Sequence, residues 1–321
     1  MFSSTFTTMA LLVTTTLAHM QLNSPAPFGA ANNPHRTDPA DERLTFPYNC
    51  CGRKTEWPCG GYLRLLGTPQ GAATASWPAG SQQFWNMSGI GNHYGGSCQV
   101  GFSIDQGKTF QVAKSYEGNC PHRHGSNTAS GQNFDFHVPA DLPTGDVVFA
   151  WTWFNREAEF NMNCAAVSIT GGSPAAAAAA GGNVIGPSSA KSSMRPPPAL
   201  SGSPATTPNS TSNSYDSPLR KIKPSTYTTN GCACTCAPNP LAPSRRRAAT
   251  PQNQPDTPVA AAAATIPYAN RPGMLFADVG NGCNSPKTNA ELKFPHPGPD
   301  VQQGDGEYPL ALPIPADKCG Y

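Results

Sequence analysis

The run Asp146-Val147-Val148-Phe149-Ala150-Trp151-Thr152-Trp153-Phe154-Asn155 sets Val147, Phe149, Trp151 and Trp153 on one side of an extended chain and Val148, Ala150, Thr152 and Phe154 on the other. Side chains alternate along a strand, so a run that is apolar on both sides predicts a central strand covered on both faces. Shorter runs at Cys98 to Ile104, Thr109 to Tyr116, Asn133 to Val138 and Phe160 to Ile169 are separated by Gly, Pro and Asn. Together they predict an all-β fold, an immunoglobulin-like or fibronectin-like antiparallel β-sandwich. No helical period of comparable length competes with it.

Composition limits how far this module extends. All five Trp residues fall between Trp57 and Trp153, while 24 of the 35 Pro residues lie beyond residue 170. The first half can therefore build a core, and the second, poor in aromatics, is expected mostly not to. The reading is a sandwich over 19–170, a low-complexity linker over 171–230 that opens with the alanine run Ala175 to Ala180, and a Pro- and Cys-rich tail over 231–321. A formal net charge of +2 supplies no field to gather nucleic acid or an anionic membrane.

Eleven cysteines suit an oxidising compartment. Six of them (Cys50, Cys51, Cys59, Cys98, Cys120, Cys164) lie in the sandwich, which allows three bridges and leaves their pairing open; Cys50 and Cys51, being adjacent, are not expected to join each other. Cys232, Cys234, Cys236, Cys283 and Cys319 fall in the tail, where disulfides are favoured over a thiolate metal site. Residues 1–18 read as a signal peptide, with the apolar run Met9 to Val13 and the small-x-small end Thr16-Leu17-Ala18. Cleavage there makes His19 the first residue of a secreted or wall-associated protein. No later stretch reaches the ~18 apolar residues of a membrane span.

An N-terminal histidine offers two ligands, its α-amine and a ring nitrogen, which close a chelate on one metal. A second imidazole would complete a planar set of three nitrogens, a donor set suited to Cu(II). The opening His19-Met20-Gln21-Leu22-Asn23-Ser24-Pro25-Ala26-Pro27-Phe28 resembles that of the fungal auxiliary activity family 11 lytic polysaccharide monooxygenases. Gly91-Asn92-His93-Tyr94-Gly95-Gly96-Ser97-Cys98-Gln99 is similar to that family's second-histidine segment, and Ala150 to Asn155 with Met162-Asn163-Cys164-Ala165 to its last core strands. These motifs cover residues 19 to 170 and none of the tail.

The resemblance implies one copper ion held by His19 and His93, an external electron donor, and oxidative cleavage of chitin. It also implies that Glu159, five residues before Cys164, is the acidic residue beside the metal that orients a reactant or moves a proton. One position departs from the family. Asn161 stands three residues before the cysteine, where the family has an axial tyrosine, and an amide has neither a phenol's bulk nor its capacity to be oxidised. The alternative expectation is therefore a copper-binding or wall-associated protein without oxidative polysaccharide cleavage.

Other residues carry weaker signals. His122 and His124 could form a second metal site, though two histidines in a loop are more often simply solvated; Trp57 and Trp77 could stack on sugars, though in a small module they are more often core. Asn86-Met87-Ser88 and Asn209-Ser210-Thr211 are glycosylation sequons, and Arg245-Arg246-Arg247 is a candidate processing site.

Overall fold

The computed structural model describes residues 19–48, 50, 55–124, 127–172, 266–286 and 289–319. The linker sequon, the Arg245 to Arg247 cluster, Cys51, the Cys232 to Cys236 run and residues 1–18 lie outside them. Three strands, β1 (His19–Ser24), β3 (Gln82–Ile90) and β6 (Asn133–His137), form one antiparallel sheet in the order β1-β3-β6. The second sheet combines β2 (Ala75–Pro78), β4 (Ser97–Ser103), β5 (Gln111–Glu117), β7 (Gly145–Phe154), β8 (Phe160–Thr170) and β10 (Val301–Gln303). Its order is β10-β5-β4-β7-β8-β2, antiparallel except at its two edges.

Strand β7 is the predicted central strand, flanked by β4 and β8, and every residue from Val147 to Phe154 is buried. Its inner face (Val147, Phe149, Trp151, Trp153) meets Met20, Leu22, Trp85, Met87, Phe134 and Phe136 of the three-stranded sheet. This is the interior of the sandwich. Trp77 belongs to it, in edge contact with Phe149 at 5.3 Å, so it is core rather than a sugar platform. The sequon residue Asn86 lies within β3, its side chain accepting from Asn23 Nδ2 at 3.0 Å.

The outer face of β7 explains why its pattern is apolar on both sides. Val148 and Ala150 pack under Phe28, Cys59, Val112 and Met274, and Phe154 packs with Phe160, Leu275 and Phe294. Met274, Leu275 and Phe294 come from the C-terminal segment. Composition does not foresee this docking: residues 266–286 and 289–319 lie on the sandwich, contributing β10 to its edge and, with β9 (Glu291–Leu292) and β11 (Leu310–Ala311), a small parallel pair. Tyr268 is buried, and its hydroxyl donates to the Gln111 carbonyl at 2.9 Å and accepts from Phe102 N at 2.9 Å. A proline-rich segment that cannot enclose a core of its own completes one that the sandwich leaves open.

Disulfides pair Cys59 with Cys164, Cys98 with Cys120, and Cys283 with Cys319. Among the described residues the six cysteines of the first half thus give two bridges, and the third lies within the C-terminal segment. No helix among the described residues is long and apolar enough to cross a membrane.

Candidate metal centre

Strand register brings the two expected ligands together. His19 opens β1 and pairs with Ile90 at the end of β3, so the loop leaving β3 passes beside it three residues later with His93. The two imidazoles face one another, ring centroids 5.5 Å apart and planes 11° from parallel. Phe46 covers His19 at 5.0 Å, and Trp153 meets His93 edge-on at 5.5 Å. Both histidines are buried, with His93 only 2% exposed.

For His19 this environment favours neutral imidazole, the form that binds metal. Burial, followed by the proximity of His93, lowers the His19 pKa to about 4, with Glu157 acting weakly in the opposite direction. His93 Nδ1 lies 2.7 Å from Glu157 Oε2. A neutral ring that donates from Nδ1 to this carboxylate keeps Nε2 as its ligating nitrogen, the usual way an outer carboxylate fixes a metal-binding histidine. The His93 hydrogen bond holds the Glu157 carboxyl below its ordinary range.

Glu157 is the residue that sequence reasoning missed. The expected acid, Glu159, stands farther off, its Oε2 3.8 Å from His93 Nδ1, and is held by Asn155 Nδ2 at 2.6 Å. Asn155 Oδ1 also accepts from the backbone N–H groups of Glu157 and Glu159, shaping the turn that presents both carboxylates. The Asn155-Arg156-Glu157-Ala158-Glu159 stretch is readable as a turn, but which of its two acids reaches the imidazole depends on the left-handed backbone at Ala158 (φ 60°).

Asn161 pairs with Trp153 across β7 and β8, so its side chain shares the sheet face on which Trp153 meets His93. Two residues to one side is Glu159; two to the other is Asn163, whose Oδ1 accepts from Leu22 N of β1 at 2.9 Å. Asn161 is 2% exposed, and its Oδ1 is buried with no hydrogen-bond partner among the described residues. An orphaned acceptor on the sheet face where Trp153 meets His93 fits a cation at this place, because each unmet buried acceptor otherwise carries a desolvation cost. The nitrogen-rich donor set suits copper better than a hard, oxygen-preferring ion.

His122 and His124 do not form a joint site. His122 stacks on Phe134 at 4.6 Å, and burial lowers its pKa. His124 is exposed and meets Glu307 at 2.7 Å. Trp57 packs against Phe276 and Phe160 at 4.6 and 5.4 Å.

No family model matches the chain. It is 38% identical over 159 residues to AA11 family lytic polysaccharide monooxygenase A of Aspergillus fumigatus, covering 49% of this chain and 67% of that protein. It is 30% identical over 171 residues to monooxygenase B of the same species, covering 49% of this chain and 37% of that one. An AA11 family lytic polysaccharide monooxygenase of Aspergillus oryzae is 32% identical over 191 residues, covering 54% of this chain and 41% of that one. The chain therefore spans two thirds of the first relative's length and about two fifths of the other two. Among solved structures, a cellulose-active polysaccharide monooxygenase from M. thermophila aligns at TM-score 0.26 and 12% identity over 30% of this chain and 54% of that one, too loosely to carry an argument. At the identity and coverage of the first relative, the chain belongs to the AA11 family of lytic polysaccharide monooxygenases, which are oxidoreductases.

Proposed function

We propose that this protein is a secreted, copper-dependent monooxygenase that cleaves chitin or a related cell-wall polysaccharide, with electrons from an external donor. The single observation that carries the reading is the buried facing pair His19 and His93, assembled by the β1–β3 register in a chain of this family. Once residues 1–18 are removed, the α-amine and ring nitrogen of His19 and Nε2 of His93 would hold the ion. Bound copper would supply the one-electron chemistry needed at an unactivated C–H bond, which side chains alone do not provide.

The chain's own residues have separable tasks. Glu157 fixes the tautomer and orientation of His93. Glu159, its side chain 24% exposed and steadied by Asn155, would hold or transfer a proton beside the pair. Phe46 and Trp153 keep water from the rings.

A second reading, a copper-binding protein without oxidative cleavage, is favoured by Asn161, whose amide stands on the face where the resembled enzymes place a phenol. Mass spectrometry of soluble products from β-chitin, incubated with copper-loaded protein and a reductant, separates the two. Oxidised chitooligosaccharides support the enzyme; tight copper binding without them supports the holder.

A further inference from the structure

Residues 91 to 96 form an unusual loop. Gly91, His93, Tyr94, Gly95 and Gly96 all have positive φ (97°, 44°, 57°, 100° and 122°), and two of them, His93 and Tyr94, carry side chains that disfavour this region. Such a conformation persists only where surrounding groups over-determine it. At Gly96 a Cβ would stand 2.2 Å from the Phe154 carbonyl oxygen, so the loop is pressed onto the end of β7. One restraint comes from the sandwich: Trp153 Nε1 donates to the Gly95 carbonyl at 3.1 Å.

The remaining restraints lead to the C-terminal segment. Glu291 Oε1 accepts from Gly96 N at 2.9 Å, from Asn119 N at 3.0 Å and from Arg123 Nη2. Arg123 Nε in turn donates to the Tyr94 carbonyl at 3.2 Å. Glu291 and the Arg123 side chain are 2% and 3% exposed, and Arg123 is fixed further by Asp305 and by the Tyr308 ring at 4.8 Å. Ser97 Oγ, just past the loop, donates to the Leu292 carbonyl at 2.6 Å. A buried carboxylate 195 residues distant in sequence thus grips the backbone immediately after His93.

We infer that Glu291 is a positioning residue for His93, and that the C-terminal segment, through Glu291 and the Arg123 it anchors, holds the second histidine in its ligating conformation. The inference rests on the copper-site reading, since it assigns Glu291 a role toward that ligand. Loss of the carboxylate removes the acceptor for Gly96 and Asn119 and leaves the buried Arg123 with Asp305 alone as its ion-pair partner. The left-handed run then relaxes, and His93 leaves its place opposite His19.

The test compares Glu291→Ala with Asp278→Asn, a change in the same segment at a carboxylate that bonds Ser285 rather than the loop. Copper(II) affinity by calorimetry, the electron paramagnetic resonance spectrum of the copper-loaded protein, and amide exchange over 93–97 in copper-free protein are measured for both. Glu291→Ala is expected to weaken copper about 10- to 100-fold, as outer supports of metal ligands do, to change the spectrum and to speed exchange over 93–97. Asp278→Asn should do none of these at a similar loss of thermal stability. If Glu291→Ala does not fold, Glu291→Gln, which retains one acceptor oxygen but not the charge, should shift all three readouts in the same direction. Unchanged exchange and affinity, or equal effects from Asp278→Asn, would overturn the inference. His93→Ala serves as the separating arm: if it binds copper as tightly as the wild type, the copper-site reading fails, and exchange over 93–97 still decides the positioning role.

Discussion

The two halves of the described protein are built on opposite principles. Residues 19–170 carry their own alternation: β7 is apolar on both faces, and its neighbours supply matching side chains. Residues 266–319 are rich in proline and form strands of at most three residues. Yet the segment buries Tyr268, Met274, Leu275 and Phe294 to 2% exposure or less, within the range of the sandwich core. Composition reports whether a segment can enclose a core by itself, not whether it can finish another's. One region supplies the proposed ligands His19 and His93, and the other supplies cover and, through Glu291, contacts to the loop that carries His93.

The harshest way to break this comparison is to delete residues 266–321. Four side chains leave the core, and at ~1.5–3 kcal/mol for each fully buried one the loss is about 6–12 kcal/mol, similar to a whole domain's stability of about 5–15 kcal/mol. The truncated chain is expected to show no cooperative thermal transition by circular dichroism. A melt within a few degrees of the full protein would mean that the segment is an ornament.

A smaller effect sharpens the account of Asn161. Placing a tyrosine where the amide is 2% exposed should overpack the site and cost about 1–3 kcal/mol. If the axial group limits turnover, Asn161→Tyr should nonetheless release more oxidised chitooligosaccharide per copper than the wild type. No gain in a variant that remains folded would show that this position is not decisive.

The smallest effect concerns pH. In copper-free protein His19 is held neutral, its pKa about 4 against an ordinary value of 6.5. Between those values the unfolded chain binds a proton that the folded chain does not, so stability should rise with pH across about 4 to 6.5 and level off above. His122, lowered in the same direction, adds to the slope. Denaturant midpoints at pH 4.5 and pH 7 should therefore differ, and His19→Ala should reduce that difference without abolishing it.

Much of this was legible in the sequence, and the rest was hidden for physical reasons. The alternation in Asp146 to Asn155 specified a doubly covered strand because side-chain period depends only on local backbone. His19 and His93 could be singled out because each sits in a distinctive local motif. What covers the outer face of β7 could not be read, since Met274 and Leu275 lie in a stretch with no period. Glu157 was passed over in favour of Glu159 because spacing along the chain does not reveal a left-handed turn at Ala158. Glu291 carries no local signal at all: its partners are Gly96, Asn119 and Arg123, each more than 160 residues away.

The proposed function sets the chemistry at the buried pair His19 and His93 and makes it depend on a free α-amine at His19. Calorimetric titration of copper into protein beginning at His19 tests it most directly, beside variants carrying one extra glycine before His19, His93→Ala and His124→Ala. One copper per chain is expected, with affinity falling by about 100-fold or more, at least the scale of outer-ligand losses, in the first two variants and unchanged in the third. Equal affinity in the glycine-extended protein, or loss of copper with His124→Ala alone, would contradict the account.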